Sequence, residues 1–146
     1  MKDKQEIMVG LTLVGIALVL LLCISFKTET PEYTMADFYQ AVAQVESGGD
    51  DLAVGSHAEI GRYQITEGYW KDAIEYANIG GSYDNCFLPS YSKVVMESYF
   101  RRYANKDWHD NNYYNLARIH NGGPRGKSKN HTKAYADKVM EAMTRG

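Results

Sequence analysis

The segment QVESGGDDLAVGSHAEIGRYQIT, residues Gln44 to Thr66, joins the end of an apolar-periodic run to a polar loop. Upstream of it, Thr34 is followed three residues later by Asp37, a spacing typical of a capping box at a helix start. Apolar residues then recur at helical intervals, namely Phe38, Ala41, Val42 and Val45. Because Gly48–Gly49 ends this run, the pattern predicts a first helix that carries Glu46 in its last turn.

The position of Glu46 allows two interpretations. On a helical wheel it lies about 40° beyond Val42, at the edge of the apolar stripe. A carboxyl placed there is partly removed from water, which favours the protonated form that a general acid needs. The alternative is an ordinary solvated glutamate at the end of a helix, and the spacing alone favours that alternative.

The rest of the chain predicts four more helices. Thr66 is a suitable N-cap for EGYWKDAIEYANI, which GGSYDN ends, and NNYYNLARIHNGG predicts a later helix that stops at Gly122–Pro124. A helix between these two ends near Ala104, and the last covers His131–Thr144. The expected buried stripe of the helix that ends near Ala104 comprises Tyr91, Val94, Val95, Ser98 and Tyr99. Since HAEIGRYQI has room for at most a short β-hairpin, the predicted class is mainly α with a minor β element.

The N-terminal residues 7–26 are apolar and uncharged, and they match the roughly 20 residues that cross a bilayer as a helix. A cleaved signal would have a shorter apolar core followed by an A-x-A pattern, which this stretch lacks. A lipoprotein cysteine at Cys23 is disfavoured because three leucines precede it. We therefore expect an uncleaved transmembrane anchor.

The anchor divides the chain into four parts: a flank at 1–6, the anchor at 7–26, a linker at 27–33 and one compact domain at 34–146. Lys2 and Lys4 precede the anchor and Lys27 follows it, which favours an N-terminus inside the cell. This orientation predicts a single-pass protein whose domain lies outside the cytoplasm, in a periplasm or at a virion membrane.

Charge is divided unequally along the domain. Residues 31–91 contain two basic and ten acidic side chains, a net −8, whereas residues 92–146 contain eleven basic and five acidic ones, a net +6. The basic half could contact nucleic acid, hold a polyanionic wall polymer or pair with the acidic half. Pairing within the domain is the default interpretation, so we expect no nucleic-acid partner.

The domain contains a single cysteine, Cys86, and therefore no internal disulfide. A small buried apolar residue is the simplest role for it. The four histidines and Cys86 lack the paired spacing of metal ligands, and no phosphate-binding loop occurs. The sequence therefore predicts neither a metal ion nor a cofactor.

Three segments, in order, resemble known wall-degrading enzymes. ESGG, AVG and the GRYQI run resemble the E-S-G, A-V-S and G-x-x-Q-I motifs of soluble lytic transglycosylases, with Gln64 18 residues after Glu46 as that pattern requires. NLARIHNGGP is similar to the A-x-x-A-Y-N-A-G-P segment of the same family and closer still to the ARIHNGGP of invertebrate-type lysozymes. GRYQITEGYWKDA also resembles those lysozymes. The resemblance covers roughly 37–139 and implies an α+β lysozyme-like fold.

The resemblance implies roles for individual residues. Glu46 would be the general acid that protonates the glycosidic oxygen between N-acetylmuramic acid and N-acetylglucosamine, and Gln64 would line the cleft. Asn121 would hold a turn or reach the sugar, and His120, a tyrosine in the transglycosylase pattern, could donate a hydrogen bond to Glu46 or to sugar.

Two further residues are candidate sugar contacts. Tyr63 lies inside the signature and offers a flat aromatic face. Ser56 stands beside Gly55, where the transglycosylase pattern has a serine.

A second carboxylate is the point at which this sequence departs from its relatives. Glycosidases normally use a pair of carboxylates, and invertebrate-type lysozymes carry an aspartate where Ala53 stands here. Asp50, Asp51 or Glu59 could substitute. Lytic transglycosylases need no second carboxylate, because the substrate's own 6-hydroxyl closes on the anomeric carbon, so the sequence favours that mechanism.

The expected partners are a peptidoglycan strand and the membrane. Two alternatives stay open. One is a hydrolytic lysozyme, including a phage or virion lysis enzyme. The other is a non-catalytic glycan-binding module with a virion or envelope partner.

Overall fold

The computed structural model describes residues 32–145. The α-helices in this part of the chain are α1 (Met35–Ser47), α2 (Glu67–Ala77), α3 (Pro89–Tyr103), α4 (Asn105–His109), α5 (Tyr113–Gly122) and α6 (Thr132–Met143), and 3-10 helices cover Tyr83–Phe87 and Gly126–Ser128. The predicted mainly helical class is confirmed.

The helices pack around one apolar core. Helix α6 packs against α1 and α5, whereas α3 packs against α2, α4 and α5. Fully buried side chains of the core include Phe38, Ile65, Met96, Phe100, Leu116 and Ile119. Each such side chain contributes about 1.5 to 3 kcal/mol by leaving water. The contact of α6 with both α1 and α5 matters for function, because these three helices supply one side of the site described below.

Helix α1 begins and ends as the sequence predicts. The Thr34 backbone N–H donates to Asp37 Oδ2 over 2.8 Å, and the Asp37 N–H donates to Thr34 Oγ1 over 3.3 Å. Gly48 ends the helix with a φ of +66°, in the left-handed region that glycine adopts most easily. Glu46 therefore lies in the last turn of α1, beside the loop that follows.

The loop between α1 and α2 is held by backbone hydrogen bonds. Within residues 32–145 it forms no strand, only isolated antiparallel bridges that join Ile60 to Val54 and to Ile65. Ile60 and Ile65 exchange both backbone hydrogen bonds at 3.0 Å, and the Gly55 N–H donates to the Glu59 carbonyl over 2.7 Å. The loop is consistent with the prediction of at most a short hairpin.

The buried face of α3 agrees with the prediction at Val95, Ser98 and Tyr99 but not at Val94. Val94 is 47% exposed, and the buried positions of the helix are Ser92, Val95, Met96, Ser98, Tyr99 and Phe100. The Ser92 hydroxyl donates to the Cys86 carbonyl over 2.5 Å, which fixes the first turn of α3 against the preceding 3-10 helix. The buried face therefore starts at a small polar residue that an apolar pattern overlooks.

Other boundaries differ by one or two residues. Helix α2 ends at Ala77 because Asn78 adopts a left-handed conformation, with a φ of +51°. The last helix covers Thr132–Met143, one residue shorter at each end than predicted. The short α4 and the two 3-10 helices were not predicted, because segments of three to five residues hold too little periodicity to be recognised.

Cys86 is buried, as predicted. Its removal from water raises the pKa of the thiol to about 12. The thiol therefore stays protonated and behaves as a small apolar group.

The charge division produces few contacts between the two halves. Arg102 Nη1 lies 2.8 Å from Glu75 Oε2, and this pair joins the basic half to the acidic half. Among residues 32–145, the other ion pairs of Lys and Arg join residues of the same half. Pairing between the halves therefore accounts for only a small part of the unequal charge.

No helix in the described part of the chain has the length and apolar character to span a bilayer. The predicted anchor at 7–26 and its flank at 1–6 lie outside the described residues, as does most of the predicted linker at 27–33.

Candidate active site

An open groove brings together most of the residues that the sequence singles out. The end of α1, the following loop, the start of α2 and the end of α5 line it. Its polar lining includes Glu46, Glu59, Gln64, Asp72, His120 and Asn121. Four predicted site residues, Glu46, Gln64, His120 and Asn121, therefore share one surface. A larger depression between α1 and α6, lined by residues such as Gln44 and Lys138, contains none of the predicted residues.

Glu46 receives two contacts on the same carboxyl oxygen. The Tyr135 hydroxyl donates to Oε1 over 2.7 Å, and His120 Nε2 lies 3.4 Å from the same atom. The Glu46 side chain is 18% exposed, so the carboxyl is largely shielded and still reaches the groove. Because the Tyr135 hydroxyl donates to Oε1, Oε2 is the carboxyl oxygen left to carry a proton that could be transferred.

His120 is fixed by its neighbours. Only 3% of its side chain is exposed. Nε2 faces two acceptors, Glu46 Oε1 and the Tyr63 carbonyl at 3.1 Å, so this nitrogen carries a hydrogen. Nδ1 lies 3.5 Å from the Tyr69 hydroxyl, which can donate to it. The imidazole therefore holds the carboxyl of Glu46 from the α5 side of the groove.

Tyr135 is a site residue that the sequence did not indicate. It lies on α6, 89 residues after Glu46, and no motif surrounds it. Burial, followed by the negative charge of Glu46, raises its pKa well above the usual value. The hydroxyl therefore remains a proton donor at neutral pH.

Gln64 lines the groove but also holds the loop together. Its side-chain Nε2 donates to the Gly61 carbonyl over 2.9 Å and approaches the Ala53 carbonyl at 3.4 Å. Its backbone is left-handed, with a φ of +48°. Asn121 is exposed at the far end of the groove, just after His120.

Two predicted sugar contacts lie elsewhere. Tyr63 is only 1% exposed, and its ring packs edge-on against Tyr39 with centroids 6.1 Å apart. Its ring belongs to the core and offers no face to a sugar, although its carbonyl holds His120. Ser56 is exposed, and its hydroxyl lies 3.0 Å from His57 Nδ1, outside the lining of the groove.

The three carboxylates that could replace an aspartate at Ala53 have different surroundings. Asp50 Oδ1 accepts a hydrogen bond from the Leu52 N–H over 2.9 Å, and Asp51 is paired with Arg62. Glu59 alone among the three lines the groove.

The environment of Glu59 favours its charged form. Its Oε2 accepts a hydrogen bond from the His57 N–H over 2.9 Å, and Oε1 lies 3.4 Å from His57 Nδ1. A hydrogen bond from its own backbone, with those from His57, outweighs partial burial and lowers the pKa of Glu59 from its ordinary value. Besides Glu46, the groove therefore holds a second carboxyl group, Glu59, and Glu59 is ionised at neutral pH.

Metal ligation finds no support in this geometry. No three His, Cys, Asp or Glu side chains come together as a metal site anywhere within residues 32–145.

The sequence matches one family and a set of curated proteins. A family model described as Destabilase matches residues 36–142. The lysozyme of Meretrix lusoria is 32% identical over 105 residues, which cover 68% of this chain and 83% of that protein. The lysozyme of Magallana gigas is 32% identical over 108 residues, 70% of this chain and 75% of that protein. Lysozyme 1 of Crassostrea virginica is 33% identical over 108 residues, but the chain spans only about half of its length, 55%.

A solved structure has a similar fold. It is a crystal structure of Aeromonas hydrophila PliI in complex with Meretrix lusoria lysozyme. The match has a TM-score of 0.61 and 25% sequence identity, and it covers 72% of this chain and 87% of the other.

Proposed function

This chain belongs to the destabilase family of lysozyme-like proteins, and from that premise we propose that it cleaves the β-1,4 bond between N-acetylmuramic acid and N-acetylglucosamine in peptidoglycan. The relatives that bear the name lysozyme, together with the ordered motifs ESGG, GRYQI and ARIHNGGP, support this substrate. The enzyme would need no metal ion or cofactor.

One observation carries the proposal: Glu46 lines a groove with Oε1 held by Tyr135 and His120. A proton on Oε2 would pass to the glycosidic oxygen of a bound strand, and the bond from that oxygen to the anomeric carbon would break. Tyr135 and His120 would stabilise the carboxylate that remains on Glu46. This arrangement supplies both a shielded acid and the donors that its charged form requires.

We propose that the enzyme breaks the glycosidic bond by hydrolysis. The sequence alone favours a lytic transglycosylase because Ala53 replaces an expected aspartate. That reason weakens because another carboxylate, Glu59, lines the groove. A hydrolase adds water to the anomeric carbon and leaves a reducing end, whereas a transglycosylase leaves a 1,6-anhydro ring.

We also propose a location for the catalytic domain, on the basis of the N-terminal sequence. The apolar residues 7–26, with Lys2 and Lys4 before them, support a single-pass anchor that would hold the domain outside the cytoplasm, where peptidoglycan lies. The anchor forms part of the proposal.

The test replaces Glu46 with Gln, which keeps an oxygen acceptor for Tyr135 and His120 but cannot donate an acidic proton. Turbidity loss of purified cell walls should fall by about a hundredfold or more, and reducing-end products should disappear from the mass spectrum. Glu141→Gln is the matched control, because Glu141 is exposed and pairs with Arg145 away from the groove.

Two results would contradict the proposal. One is undiminished cleavage by the Glu46→Gln protein. The other is wild-type protein that binds wall fragments without cutting them, which would indicate a glycan-binding module.

A further inference from the structure

We propose that Glu59 is the second catalytic carboxylate of the groove and takes the place of the carboxylate that is absent at Ala53. The inference rests on the proposed glycosidase function and assigns a residue to its second chemical step. Three observations support it: Glu59 lines the groove, its carboxylate packs against Gly55, and the other nearby carboxylates lie in different surroundings.

The position of Glu59 suits a group that acts on a bound strand. It lines the same groove as Glu46. Its side chain is 23% exposed, so most of it is shielded while part still reaches solvent in the groove. The His57 N–H and imidazole contact both carboxylate oxygens, at 2.9 and 3.4 Å. The backbone hydrogen bond from His57 ties the carboxylate to its own loop.

Gly55 provides the space in which the carboxylate lies. A Cβ built on Gly55 would stand 2.3 Å from Glu59 Oε2 and 2.5 Å from Gln64 Oε1, closer than real atoms approach. The φ of Gly55 lies outside the left-handed region, so its backbone conformation does not require glycine. The missing side chain therefore serves to admit Glu59 and Gln64.

None of the other carboxylates considered near the groove combines a place in its lining with a hydrogen bond inside the loop. Asp50 accepts a backbone hydrogen bond from Leu52, and Asp51 is paired with Arg62. Asp72 lines the groove, but it lies on α2 and not in the loop. Glu59 is thus the carboxylate of this set that is both in the groove and held by its own loop.

In the proposed reaction, Glu46 acts as the acid and Glu59 as the base. Glu46 gives its proton to the glycosidic oxygen, which keeps the electron pair of the broken bond to the anomeric carbon. The oxygen of a water molecule forms the new bond to that carbon, and the water passes one proton to the Glu59 carboxylate. Glu59 then releases this proton to solvent and Glu46 takes one up, which restores both groups. Each carboxylate oxygen of Glu59 can accept the proton because each keeps a second lone pair beside its His57 contact.

The first experiment compares Glu59→Gln with Glu141→Gln in the full-length protein. Release of reducing ends from purified peptidoglycan should fall by about a hundredfold for Glu59→Gln and stay within about twofold of wild type for the control. A Glu59→Gln protein with wild-type turnover would overturn the inference. This outcome differs from failure of the proposed function, in which the wild type itself would cleave nothing.

The second experiment excludes a purely structural effect. Azide needs no base to remove a proton before it attacks the anomeric carbon, so it should restore cleavage by Glu59→Ala and yield a glycosyl azide. It should not restore cleavage by Glu46→Gln, in which the leaving oxygen still lacks its proton. A folded Glu59→Ala protein that azide leaves inactive would overturn the role of Glu59.

Discussion

The two walls of the groove are built in different ways. On the helical wall, Glu46, His120 and Tyr135 come from three helices and meet through side-chain contacts that are largely shielded from water. On the loop wall, Glu59 and Gln64 lie five residues apart and are held by contacts within the loop itself. The two glutamates therefore differ in how they are held, because Glu46 depends on the packing of separate helices, whereas Glu59 depends on hydrogen bonds within one loop, which lower its pKa.

Among changes that leave both glutamates in place, the largest effect is expected on the helical wall, at Tyr135. Tyr135→Phe removes the hydroxyl that donates to Glu46 Oε1 over 2.7 Å but keeps the ring. Hydrogen bonds to charged groups contribute about 1.5 to 3 kcal/mol, so we expect activity on cell walls to fall by about 10- to 100-fold.

Tyr76→Phe is the matched control for this change, since Tyr76 is half exposed on α2. Full activity of the Tyr135→Phe protein would show that the hydrogen bond from Tyr135 to Glu46 does not contribute to cleavage.

A smaller effect is expected on the loop wall, at Gly55. Gly55→Ala would place a methyl group 2.3 Å from Glu59 Oε2 and displace that carboxylate. Because a misplacement of about 1 Å can lower catalysis strongly, we expect a loss of activity of about tenfold, with little change in thermal stability. Gly80→Ala, where the added atom meets nothing within 4 Å, should leave both quantities unchanged. Full activity of Gly55→Ala would mean that the loop wall tolerates a displaced carboxylate.

The smallest effect on activity is expected outside both walls, at Asp107. Its carboxylate accepts hydrogen bonds from Lys127 Nζ at 2.5 Å and from Asn115 Nδ2 at 2.7 Å. Burial alone would raise the pKa of Asp107, but these contacts outweigh it and lower the pKa from its ordinary value of 3.8. Asp107→Asn should therefore lower the free energy of unfolding by about 1 to 2 kcal/mol at neutral pH and keep activity within about twofold of wild type.

The pH dependence of the Asp107 effect has a definite sign. A lowered pKa in the folded state means that the carboxylate stabilises the fold fully above pH 3.8 and loses this effect as the pH falls through the lowered value. Chemical denaturation of wild type and Asp107→Asn at several pH values checks this. The difference between the two proteins should shrink in acid, and a difference that grows instead would contradict the assignment.

Local signals in the sequence predict much of the fold. The capping pair Thr34 and Asp37, and the N-cap Thr66, mark helix starts that the structure confirms. The buried face of α3 was predicted only in part: burial of Ser92 was missed, and its hydroxyl donates to a carbonyl in another element. Hydrophobic periodicity records which residues avoid water, and it carries no information about such a polar contact.

The residues of the site also fall into two groups, those that lie in sequence motifs and one that does not. Glu46, Gln64, His120 and Asn121 lie in motifs, and the structure brings them to one groove. Tyr135 lies in no motif, and only the packing of α6 against α1 carries it to Glu46.

The choice of Glu59 over Asp50 and Asp51 also depends on the structure. It rests on the turn that seats the Glu59 carboxylate against Gly55. Tyr63 shows that a residue inside a motif need not reach the groove, because its side chain, predicted to contact sugar, is buried.

Digestion of purified peptidoglycan in water labelled with heavy oxygen distinguishes hydrolysis from transglycosylation. If Glu46 protonates the leaving oxygen and Glu59 activates water, mass spectrometry of the wild-type products will show reducing ends that each carry one heavy oxygen atom. Products that end in 1,6-anhydro rings, lighter by one water and free of the label, would contradict the account.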